Sequence, residues 1–362
     1  MTCMRNALFL LLLLCAGHLT AQSVFDLLYG DEVNDVVDVE ITLPLDSLDD
    51  HTPNDLHGVM TFADQTGRRQ LLGVKVSLRG KFRRTRCSTP PLKLDFSKSQ
   101  LEGMGLTDHD KYKLVNSCYG DSTATNLLLK EYLAYRVYSL VSPTAHFRTQ
   151  LLRLTLRDAT GTQPDRIDYA FLIEDPDEMA ARFGGRELED ADGLDAERFD
   201  PTAEATHAAF QYLIGNADWS IPLQRNVKFV ERPDGMLVPV AYDFDFSGWV
   251  GAPYASPTRE AGQQSIYQRV YLGYHQDERV LREVLQNVRN RRRDVLRMIQ
   301  DFELLEKRDR STLLRFVGMY YDTVSGMTLN TGELLYNQLR GATADIIPPG
   351  AKAQNYRERA SR

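Results

Sequence analysis

The segment GNADWSIPLQRNVKFVERPDGMLVPVAYDFDFSGWV, residues 215–250, holds the side chains of this 362-residue chain best suited to chemistry. Asp218 precedes Asn226 by eight positions, and Asp243 and Asp245 follow two short apolar runs separated by the turn RPDG. Apolar runs flanking such a turn read as a β-hairpin. A hairpin returns the chain to the end from which it left, so the loop before it and the loop after it meet. Asp218 and Asn226 would then share one cavity with Asp243 and Asp245. A few carboxylate and amide oxygens suit Mg²⁺ or Mn²⁺, whose shell is completed by water and by substrate phosphates. Asp and Asn beside strands also act as turn formers and helix caps, so the joint pattern counts for more than any one residue.

Periodicity gives the elements that must position this hairpin. VVDVEITLPL has strand character, and HGVMTFADQTGRRQLLGVKVSLRG reads as a hairpin turning at Asp64–Gly67. PLKLDF places Leu92, Leu94 and Phe96 on one face, with Lys93 and Asp95 on the other. KYKLVNS, FRTQLLRLTLRD and IDYAFLIED are further strands. Ser122–Val141 is the first strong helix, with Ser122 or Thr123 able to cap it. Then the character changes. PDEMAARFG is a short helix, residues 185–200 form an acidic loop, and AEATHAAFQYLIGNAD is a helix stopped near Gly215. A Pro/Gly-rich loop follows the hairpin, and the chain is helical from 277 to 345. The expected fold class is α+β in two lobes. Residues 22–174 form a β-rich lobe with one helix, residues 175–345 a mainly helical lobe bearing the hairpin, and residues 346–362 a flexible tail.

The N-terminus reads as a cleaved leader: Arg5, an apolar run from Ala7 to Ala16, then small and polar residues, with cleavage expected after Ala21. That run is too short for a permanent span, and no other segment has transmembrane length. The mature chain is expected to be exported, to the periplasm or the medium. Its apolar content of 43% excludes wholesale disorder, and a net charge of −7 argues against a general nucleic-acid binder. Cys3 and Cys15 leave with the leader, so Cys87 and Cys118 remain as an even pair in an oxidising compartment and are expected to form a disulfide. Hydrolase signatures are missing: there is no G-x-S-x-G and no H-E-x-x-H.

The residues GNADW…RN and VPVAYDFDFSG resemble the spore-coat CotH kinase family, atypical members of the protein-kinase-like superfamily, with a local likeness to HipA-type and phosphatidylinositol kinases. The resemblance runs over residues 70–275, is strongest over 213–250 and is weak before 90. It implies a two-lobed kinase-like fold and phosphoryl transfer from ATP with Mg²⁺ or Mn²⁺, to a protein or envelope acceptor. By the same likeness Asp218 orients the attacking hydroxyl, Asn226 and Asp243 hold metal, and Asp245 is the spare or a second metal ligand; the overlap DFDF leaves that last assignment open, with Asp243 preferred for its Tyr-Asp context. Such transfer asks of a protein chiefly positioning and charge.

The resemblance also implies nucleotide-binding residues in the first lobe. Lys93 in PPLKLDF matches the phosphate-binding lysine, with Lys113 in KYKLV as its rival, and Glu131 on the helix is where a kinase places that lysine's partner. FLIED, marked by Glu174, looks like the lobe connection whose backbone would meet an adenine. Two departures stand out. RGKFRRTRC, with Arg79, Lys81, Arg83, Arg84 and Arg86, replaces a glycine-rich phosphate loop, and Trp219 follows Asp218 where the family has His or Arg. The basic loop could hold nucleotide phosphates by charge and bidentate contacts. A non-catalytic envelope or coat protein that keeps the fold is the alternative reading.

Overall fold

The computed structural model describes residues 21–49, 55–80, 83, 87–143, 145–189 and 193–341. The expected leader, residues 1–21, lies outside the described residues except for Ala21, and so does the whole of the expected tail, 346–362. No helix among the described residues is long and apolar enough to cross a membrane.

The chain enters through α1 (Val24–Leu28), closed by a capping box of Ser23 and Asp26. Seven strands follow: β1 (Val36–Leu43), β2 (Leu56–Ala63), β3 (Arg69–Leu78), β4 (Leu92–Phe96), β5 (Lys111–Asn116), β6 (Thr149–Asp158) and β7 (Arg166–Ile173). Helix α2 (Leu45–Asp49) follows β1, α3 (Lys98–Gly103) follows β4, and α4 (Ser122–Val141) lies between β5 and β6. The strands alternate as half-buried strands must, so β4 buries Leu92, Leu94 and Phe96 and turns Lys93 and Asp95 the other way. The inward residues, with Val24, Phe25 and Leu28 of α1, form a core of their own.

The expected two-lobed kinase-like α+β fold is not what the chain adopts. A kinase-like first lobe is built on an open sheet. Here seven strands close into a mixed barrel in the order β1-β2-β3-β4-β5-β7-β6. The cause is β1, from the stretch where the kinase resemblance is weakest. It pairs antiparallel with β2, Ile41 opposite Met60, and parallel with β6, Val39 opposite Leu154. Both sheet edges are thereby satisfied, and no row of unpaired N–H and C=O groups is left at either.

Beyond the barrel come α5 (Pro176–Arg182), β8 (Arg186–Glu187), α6 (Pro201–Ile214), β9 (Val227–Glu231) and β10 (Leu237–Ala241). Helices α7 (Glu278–Asn290), α8 (Arg292–Asp301), α9 (Lys307–Leu329) and α10 (Leu335–Gly341) complete the described chain. The β9–β10 hairpin turns at Arg232–Gly235 and is extended by β8 into a three-stranded sheet. A second core collects these elements. It takes Leu128, Tyr132, Tyr135 and Tyr138 from α4, and Val115, Leu151 and Phe171 from the barrel. Helix α4 thus links barrel and helices, and its cap is Asp121, which accepts from Ala124 N–H, rather than Ser122 or Thr123.

Candidate functional site

Two loops and one helix build the site. Helix α6 stops where Gly215 turns left-handed, at φ 63°, a conformation open to glycine because it lacks a Cβ. The next loop is tied back to the helix. Asn216 Nδ2 donates to Gln211 Oε1 at 3.0 Å, and Asn216 Oδ1 accepts the Asp218 N–H at 2.9 Å. The hairpin begins after Asn226, at φ 54°, and is left through Asp243, at φ 65°. Left-handed backbone at a non-glycine residue is strained, and Asn and Asp bear it best. The two loops are also joined to each other and to α4. Gly248 and Trp249 N–H donate to the Gly215 and Ile214 carbonyls at 3.1 and 2.9 Å. Asp243 N–H donates to Tyr135 Oη at 2.8 Å, and Trp249 Nε1 to the Lys130 carbonyl at 2.7 Å.

Around this frame the acids gather. Asn226 Nδ2 donates to the Asp218 carbonyl at 2.6 Å and to its Oδ2 at 3.1 Å. Its Oδ1 is the atom of that amide able to accept from or coordinate a ligand. Arg225 Nε lies 3.4 Å from Asp218 Oδ1. Burial raises the Asp218 pKa, with Arg225 opposing and the Asp243 charge adding to the rise. Asp245 is buried and accepts from Tyr254 Oη at 3.1 Å. Burial, then the charges of Asp243 and Glu131, hold its carboxyl well above the usual range. Glu131, buried on α4, is pushed up to about 7, chiefly by burial, against the opposing charge of Arg83.

Cations face these acids. Arg83 Nη1 lies 3.8 Å from Glu131 Oε2, and its Nη2 donates to the Asn116 carbonyl at 2.7 Å. Arg83 Nε and Arg79 Nη1 are buried and meet no hydrogen-bond partner among the described residues. Lys113 Nζ stands 4.2 Å from the centre of the Tyr242 ring. Burial lowers the Lys113 pKa to about 8, with the charges of Arg79 and Lys228 adding to the effect.

The structure brings Asp218, Asn226, Asp243, Asp245 and Glu131 together with Arg79 and Lys113. Lys93 and Glu174 behave otherwise. Neither Lys93 nor Lys113 forms an ion pair with Glu131 among the described residues; Arg83 takes that place. The reason is register: Lys93 and Lys113 sit opposite each other on β4 and β5. Both line a neighbouring cavity of about 430 Å³, shared with Glu174, Asp175, Glu187 and Lys228. The Glu174 side chain is fully buried in an ion-pair anchor, held by Arg148 Nε at 2.8 Å and by Arg182 Nε at 2.9 Å. Its N–H donates to the Arg148 carbonyl. The partnership of Arg83 with Glu131 escaped sequence reasoning, as did Tyr135 and Tyr254. The one usable signal was the clustering of arginines just before Cys87.

No group of three or more His, Cys, Asp or Glu side chains that could hold a metal is found among the described residues. Asn226 Oδ1 with Asp243 is a smaller set, of the size Mg²⁺ uses when water and phosphate oxygens complete six-fold coordination. Repulsion among Asp243, Asp245 and Glu131 favours a cation there. No protein-family model, curated protein or solved structure matches the chain.

Proposed function

We propose that the cleft binds a nucleotide such as ATP through its phosphates, with Mg²⁺ or Mn²⁺, and transfers a phosphoryl group to a hydroxyl of a protein or envelope acceptor. The reading rests on the site and on the motif likeness over 215–250, not on a kinase fold. One observation carries it: buried guanidinium nitrogens of Arg79 and Arg83 that meet no partner among the described residues, beside a cluster of acids. A buried donor without a partner is costly, and an oxyanion would satisfy both arginines at once. Asp218 is the group that orients the acceptor hydroxyl and takes its proton, and its raised pKa makes it a better base. The oxygen attacks the terminal phosphorus as the bond to the nucleoside diphosphate breaks. Asn226 and Asp243 would hold the metal, which when bound neutralises charge on the phosphates. Arg79, Arg83 and Lys113 hold the phosphates.

The direct test is calorimetric titration of the purified mature protein with ATP, with and without Mg²⁺, followed by transfer of labelled terminal phosphate to envelope proteins. Binding that needs metal, and transfer lost in Asp218→Asn, are the expected results. Protein whose melting and calorimetry ignore metal and nucleotide together would sink the reading. The non-catalytic alternative would then stand, since Asp218 already has Arg225 and Asn226 as internal partners.

A further inference from the structure

Arg83 is held where it meets the acids by a short set of contacts that converge on one covalent bond. Cys87 and Cys118 are joined by a disulfide. The Cys87 N–H donates to the Arg83 carbonyl at 2.9 Å, and Ser88 donates to the Cys118 carbonyl through its N–H at 2.9 Å and its Oγ at 3.0 Å. Asn116 Nδ2 donates to the Thr89 carbonyl at 2.8 Å, while the Asn116 carbonyl accepts from Arg83 Nη2. Asn116 ends β5 with Cys118 two residues beyond it, and residues 87–89 lead into β4, so the bond ties the approach of Arg83 to the barrel end where it meets Glu131. Both cysteines are almost fully buried. No ion pair to Arg83 from an acid other than Glu131 is present among the described residues.

We infer that the Cys87–Cys118 disulfide is a positioning device for the site: it sets Arg83 against Glu131, so that affinity for a phosphate-bearing ligand follows the redox state of this pair. Arg83 is thereby a positioning and anion-binding residue, and the two cysteines act through it. The inference deepens the phosphoryl-transfer reading and rests on it for the identity of the ligand. The chemistry balances with a dithiol as reductant. Its two thiols give up two electrons and two protons, the S–S bond breaks, each protein sulfur gains a proton, and the reductant becomes a disulfide.

The test compares four proteins under one buffer: oxidised wild type, the same protein reduced by a dithiol after folding, Cys87→Ser/Cys118→Ser, and Arg83→Met. Calorimetry with Mg²⁺ and ATP should show binding weakened by about tenfold to a hundredfold in each of the last three, the range expected when one charged hydrogen bond is lost. Adding Arg83→Met to the cysteine double variant should weaken binding no further. A double variant or a reduced wild type that binds as the oxidised protein does would overturn the inference. So would an Arg83→Met protein of unchanged affinity. Should the double variant fail to fold, the reduced wild type, checked by near-ultraviolet circular dichroism, answers the question alone. Should no form bind nucleotide, the phosphoryl-transfer reading falls, and the inference is decided by melting. Arg83→Met and Glu131→Gln should then be non-additive in oxidised protein and additive in reduced protein. Additivity in both would reject it.

Discussion

Asp243 sits at positive φ, and asparagine is the substitution that removes its charge while tolerating that backbone. Asp243→Asn should therefore leave metal-free melting unchanged or slightly higher, because it relieves repulsion with Asp245. It should also abolish the stabilisation by Mg²⁺ and ATP. That stabilisation is worth about 2.7 kcal/mol for a ligand at about a hundred times its Kd, and scanning fluorimetry reads it directly. Asp218→Asn should keep most of the nucleotide-induced shift and lose transfer. A different acid reports on pH. Glu204 is fully buried on α6, accepts from Tyr274 N–H at 2.9 Å and Gln276 Nε2 at 2.8 Å, and is pushed up to about 7 by burial. Its folded pKa lies above its unfolded one, so the native state binds the extra proton between them. Its presence thus disfavours folding as pH rises from 4.5 towards 7, by about 3 kcal/mol at most. Glu204→Gln should remove that slope, so the variant gains on wild type at pH 8 relative to pH 5 in urea unfolding. Acids at both ends of a hairpin were legible in the sequence because spacing alone brings them together. The guanidinium that faces Glu131 was not, because five basic residues within eight positions offered no means of choosing among them.

Elements were legible where period and punctuation agree. The turn at Asp64–Gly67 joins β2 to β3, the helix over Ser122–Val141 is α4, and α6 ends at Gly215. Pairing was not legible. Alternation shows which face of a strand is buried but not which strand lies beside it. Nothing local in VVDVEITL announces a parallel partner after α4. The loops that connect elements yield a sharper test. A Cβ on Gly248 would meet the Ile266 carbonyl oxygen at 2.5 Å and Tyr267 Cα at 3.1 Å, both backbone atoms that cannot swing aside. Gly248→Ala should therefore break the contact between the loops of Asp218 and Asp245. We expect about 1–3 kcal/mol of destabilisation in urea unfolding, the range for overpacking. Phosphoryl transfer should fall out of proportion to that loss. The N-cap of α6 is the contrast: Asp200 accepts from Ala203 N–H and pairs with Arg232, so Asp200→Ala should cost about 1 kcal/mol and leave nucleotide binding alone.

At the scale of the whole molecule, one arginine gathers separate parts. Arg148, just before β6, reaches Asp26 of the α1 capping box at 3.0 Å, Glu174 at 2.8 Å and Glu178 of α5 at 2.8 Å, and stands about 5 Å from the centres of the Phe25 and Tyr29 rings. Arg148→Met would leave the buried Glu178 with no cation among the described residues and Glu174 with Arg182 alone, a loss of about 3–5 kcal/mol, measurable by urea unfolding at pH 8. At pH 5.5 the loss should shrink, because Glu178, already pushed up to about 7 by burial, can take a proton. Barrel closure also sets an order of events. Asp38 of β1 and Arg153 of β6 are neighbours across the parallel pair yet lie 115 residues apart in the chain. During synthesis β1 emerges first and can join β2 at once, but its other edge stays bare until α4 and β6 have been made. Loop-closure entropy over such a span slows the last step. Until then a strand bearing Val37, Val39 and Ile41 offers open hydrogen-bonding groups to any neighbouring chain. The ring that abolishes edges in the finished protein thus makes its first strand the one most in need of a holding chaperone on the way there.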